Sequence, residues 1–151
     1  MNGFWHFIHY LGFVAWIGGG LAGFVASLAM RRLDRSLWGA AVEVQGAIYR
    51  GLIAPGAVIV LFSGIIMALS APGAMSGYVG PWLGTMEGAG AVGALVSLLG
   101  SLPIAAKLSR LEPVGPQAPL FDALRIRLRI VSSIAGTLAL IALLAGALYK
   151  H

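Results

Sequence analysis

The sequence predicts an all-α integral membrane protein, a four-helix bundle with both termini on the outer side. Two observations give the class and a third gives the orientation. Of 151 residues, 59% are hydrophobic and 10% charged, with a mean hydropathy of +0.91. A soluble domain carries about 25% charged residues. Four stretches (1–30, 51–71, 88–106 and 130–149) contain no Asp, Glu, Lys or Arg. A helix needs about 20 apolar residues to cross a hydrocarbon layer of about 30 Å. Lipid offers unpaired backbone groups no partner, so each crossing has to be helical. The third observation is where the charge lies. Arg31, Arg32, Arg35 and Arg50 fall between the first and second stretches. Lys107, Arg110, Arg125, Arg127 and Arg129 fall between the third and fourth, and only Lys150 falls elsewhere. Basic loops stay on the cytoplasmic side, so the 72–86 loop and both termini should face outward.

Taken in order, helix 1 is expected over about 4–30. It lacks a basic leading region and Arg31-Arg32 follows it directly, so it reads as a retained span rather than a signal peptide. The segment "RRLDRSLWGAAVEVQGAIYR" places Leu33, Leu37, Trp38, Val42 and Val44 among charges. It either lies along the interface or extends helix 2 inward. Helix 2 is expected over about 51–71, with a kink at Pro55. "APGAMSGYVGPW" is a Gly- and Pro-rich outer loop whose Tyr78 and Trp82 suit headgroup level. Helix 3 is expected over about 84–106. Its Ala89, Gly93, Ser97 and Ser101 form a small-residue stripe that lets another helix come close. After "EPVGPQAP", helix 4 is expected over about 126–149, with Arg127 and Arg129 reaching back to the inner surface. The whole chain, 1–151, reads as one transmembrane domain.

This distribution of charge excludes a nucleic-acid partner despite the net charge of +5. The absence of cysteine excludes disulfides and thiolate metal sites. The chemistry-bearing residues gather at the outer end instead. His6 and His9 lie three apart on one face of helix 1, and Met86 and Glu87 open helix 3. His151 ends the chain there. Two neutral imidazoles can hold a metal, or one can ligate haem iron while the other supports it. Met86 and Met75 are soft thioethers that suit Cu(I) or haem iron. The alternatives are plain: interfacial anchoring for the histidines, apolar filling for the methionines, a snorkelling anchor for Arg50. For Glu87 the expected role is a stabilising charge in the first turn of helix 3. Glycines 18, 19, 20 and 23 would leave room for a cofactor between helices.

Two motifs add to this reading. "HYLGFVAWIGG" sets His9 and Trp16 seven apart before a glycine pair, and "YRGLIAPGAVIVLFSGIIMAL" sets Arg50 five before Pro55. Together they resemble the superfamily of small four-helix bacterial membrane proteins. That superfamily includes the membrane protoporphyrinogen IX oxidases and copper-resistance D-type domains. The resemblance implies a multi-pass protein of the bacterial inner membrane. It also implies haem b held through His9, with Trp16 and Arg50 at the neighbouring motif positions. The oxidases carry a lysine where this chain has Met86, and a Pro-Arg pair and an Asn-Glu-x-Pro pattern that it lacks. Protoporphyrinogen oxidation is therefore not implied, and no catalytic residue is assigned.

The expected function is haem b binding through His9, with His6 or Met86 as second ligand, and electron transfer. So little mass outside the bilayer requires a redox partner or a larger membrane complex, self-association being the alternative. Two other readings stay open: copper handling by His6, His9 and Glu87, and an assembly subunit without a cofactor.

Overall fold

A computed structural model describes residues 2–70 and 80–148. Four helical rods fill it: α1 (Asn2–Met30), α2 (Arg35–Ser70), α3 (Pro81–Leu108) and α4 (Gly115–Leu148). All four are long and apolar enough to cross a membrane. The chain is thus an all-α membrane protein. Three rods run further at the arginine-rich end than their charge-free stretches. α2 starts at Arg35 instead of Gly51, so most of the "RRLDRSLWGAAVEVQGAIYR" segment belongs to this helix. α3 continues to Leu108, and α4 is already α-helical from Ala118. Helical hydrogen bonds do not depend on side-chain polarity, so charge marks the membrane surface and not the helix end. These extensions are held by packing. Met30, Val42, Leu108 and Phe121, one from each rod, are the largest fully buried apolar side chains, and all lie at this end.

Pro55 disturbs α2 in a specific way. Residues Tyr49–Ile53 form a π turn, closed by the Ala54 N–H donating to the Tyr49 carbonyl. The same device recurs in α3, where Val96–Ser101 form a π turn just before Pro103, and the Leu102 N–H donates to the Ser97 carbonyl. A proline has no N–H, and its ring pushes against the carbonyl four residues back. A locally wider turn accommodates that carbonyl while keeping the rest of the ladder closed.

The rods pair as two tight hairpins. In the first, α1 meets α2 backbone to backbone. A Cβ on Gly56 would stand 2.6 Å from the Trp16 nitrogen and 2.8 Å from the Gly12 carbonyl oxygen. In the second, a Cβ on Gly93 would stand 3.0 Å from Leu138 Cβ, and Ala135, Ala139 and Ala142 are buried. Lipid tails are as apolar as leucine, so dispersion contact between small residues has to supply the association. Polar ties then join the hairpins. Trp16 Nε1 donates to Ser97 Oγ at 2.9 Å, and the Tyr49 and Ser132 hydroxyls meet at 2.5 Å. At the arginine-rich end the Arg35 guanidinium pairs with Asp122 at 2.7 Å.

Candidate functional site

His9 is half-buried in the α1–α2 seam. Its Nδ1 lies 2.8 Å from Ser63 Oγ, and Ser63 Oγ is 2.5 Å from the Ile59 carbonyl oxygen. The serine has one proton, and the carbonyl can only accept it. Ser63 Oγ is therefore left to accept from His9 Nδ1–H. This fixes the imidazole tautomer and leaves the Nε2 lone pair as the available donor to a metal. The ring orientation is fixed as well. Phe13 meets it edge to face at 5.1 Å, and it packs over Gly64, where a Cβ would stand 3.4 Å from His9 Cε1. The stack continues from Phe13 to Trp16, with centroids 5.9 Å apart.

Of the other expected site residues, His6 and Trp16 share its helix and the rest lie on other elements. His6 is exposed on the turn before His9. Met86 belongs to the second hairpin, its sulfur 2.9 Å from where a Cβ on Gly146 would be. Trp16 is buried, and its indole N–H is committed to Ser97, so it ties helices together. Arg50 is exposed and folds back beside Gly46 of its own helix, as an anchor does. Glu87 is exposed, and its expected first-turn role is corrected. α3 begins at Pro81, so its first turn holds no acidic residue and Glu87 sits beyond it. Among the described residues, no three His, Asp or Glu side chains come together as a metal set, so His6, His9 and Glu87 do not form one. His151, Met75 and Tyr78 lie outside the described residues.

The helix 1 glycines divide into two kinds. Gly19 is spent on contact: a Cβ there would stand 2.8 Å from Ile53 Cγ1. Gly20 meets nothing within 4 Å, and neither does Gly136 on α4. Both glycines line a cleft of about 280 Å³ between α1 and α4, in the half of the bundle nearer the arginines. Its polar side chains include Gln45, Tyr49, Ser101, Ser132, Arg125 and Arg129. Reasoning from the sequence missed this cleft. The signal that could have found it is the scatter of lone polar residues in apolar spans (Ser97, Ser101, Ser132), each of which needs a partner across a seam.

Compared with family models, curated proteins and solved structures, the chain matches none.

Proposed function

We propose that this protein binds haem b in the bacterial cytoplasmic membrane, held through His9 Nε2, and that it passes single electrons. Its termini face the outer side. The observation carrying this reading is the hydrogen-bonded chain His9–Ser63–Ile59, which presents one imidazole in a fixed tautomer. Haem-ligating histidines are held this way, through the ring nitrogen that does not meet the iron. The donor set also favours haem over a bare copper ion. Porphyrin brings four nitrogens of its own and needs one protein ligand, whereas copper needs several, and no group of three His, Asp or Glu assembles among the described residues. Bound haem would supply a one-electron Fe(III)/Fe(II) couple. His9 would hold it, and Ser63 would orient His9.

Optical spectra of the purified protein, expressed with ample haem, test this. A Soret band is expected in the wild type, lost in His9→Ala and retained in Met86→Leu. Ser63→Ala should keep the band but loosen the ring, shifting the reduction potential and raising the rate of haem loss. A colourless wild type overturns the reading. Intact complex formation after substituting both His6 and His9 would then indicate an assembly subunit.

A further inference from the structure

The α1–α4 cleft has the build of an amphiphile site. α1 and α4 touch each other sparsely, so the cleft lies between the hairpins instead of within one. Towards the outer side its walls are apolar: Ile17, Leu21 and Phe24 from α1, Ala139 and Leu140 from α4. At the inner end it is lined by Arg31, Arg125 and Arg129. Arg31 directly follows the last residue of α1, which places these guanidinium groups at inner headgroup level.

The charge there is in excess. Among the described residues, Asp122 is the one carboxylate acting on Arg125, against three arginines (Arg31, Arg35 and Arg129), and Asp122 is already bonded to Arg35 at 2.7 Å. The Arg125 guanidinium carbon lies over the Trp38 ring, 4.3 Å from its centroid, which holds the group in place. Yet its Nε is buried and has no hydrogen-bond partner. A guanidinium held in place with no carboxylate bonded to it among the described residues suits the oxygens of a phosphate. The space is held open by Gly20 and Gly136, where added side chains would meet nothing. At about 280 Å³ the cleft takes the headgroup-proximal part of one chain, not a whole lipid.

We propose that this cleft holds one anionic phospholipid of the inner leaflet, its phosphate on Arg125 and Arg129 and one acyl chain along Gly20 and Gly136. This is independent of His9 and of haem.

Native mass spectrometry of the full chain, released from nanodiscs of equal phosphatidylglycerol and phosphatidylcholine, tests it. One phosphatidylglycerol per chain should be retained, at least about tenfold over phosphatidylcholine. Arg125→Gln with Arg129→Gln should abolish that preference. Gly136→Leu fills open space on a helix and should remove the retained lipid, with helical content and elution volume unchanged. Trp38 fluorescence should be quenched by brominated phosphatidylglycerol in the wild type and not in Gly136→Leu. Equal retention of both lipids, or undiminished retention by Gly136→Leu, overturns the proposal. Displacement of the lipid by millimolar inorganic phosphate would show a free-anion site and overturn it too.

Discussion

At the scale of single residues, glycines carry opposite duties that only their neighbours reveal. Gly56→Ala would drive a methyl group into the Trp16 nitrogen and the Gly12 carbonyl oxygen, both backbone atoms that cannot rotate away. The α1–α2 seam must part, and overpacking of this kind costs about 1–3 kcal/mol. Thermal unfolding in detergent should show that loss. Gly20→Ala, made where nothing lies within 4 Å, should leave the midpoint unchanged or slightly raised. The same contrast explains what the sequence disclosed at this scale. His9 was legible because an ionisable group in an apolar run demands an explanation. Its partner Ser63 was not, since a lone serine reads as a tolerated small residue until the facing helix is known. Glu87 was misread for a related reason: its role rested on a helix start at Gly84, and Pro81 starts α3 earlier.

At the scale of elements, the charge-free cores of all four helices were legible, while their inner extensions were not. Lipid imposes apolarity only within the hydrocarbon layer, so hydropathy marks that layer and is silent about helix beyond it. What holds the start of α2 to α4 is a small polar cluster. The Arg125 and Arg35 guanidiniums both lie over the Trp38 ring, at 4.3 Å and 5.1 Å, and Arg35 reaches both Asp122 and the Pro113 carbonyl. The Arg35–Asp122 pair is about two-fifths exposed on each side, so water and salt screen it. Asp122→Asn should cost at most about 1 kcal/mol, and that cost should fade as salt is raised. Trp38→Ala should cost more and respond less to salt, because it removes packing and both stacked cations. Unfolding midpoints at low and high ionic strength distinguish the two. The paired π turns were legible in part. Pro55 announced a disturbance, but only the backbone shows that a wider turn resolves it, and that Pro103 repeats the solution.

At the scale of the molecule, orientation decides which solvent each candidate site meets. Two hairpins packed through small residues leave His9 towards the Ser70 end of α2 and the arginine-lined cleft towards the opposite end. The two sites therefore differ in their access to the two sides of the membrane. If basic segments stay in the cytoplasm, haem on His9 exchanges electrons at the outer face, and the cleft draws on lipids of the inner leaflet. The chain contains no cysteine, so single reporters can be placed without background. Gly80→Cys sits just before α3, where φ is −57° and any side chain is accommodated. Gln117→Cys is exposed at the start of α4. A membrane-impermeant maleimide should label Gly80→Cys in intact spheroplasts and Gln117→Cys only after permeabilisation. The reverse pattern would put His9 on the cytoplasmic side, where an electron partner would have to be a cytoplasmic one. It would also turn the arginine mouth towards the outer leaflet and so remove the inner-leaflet source from the lipid proposal, even if a haem spectrum were found.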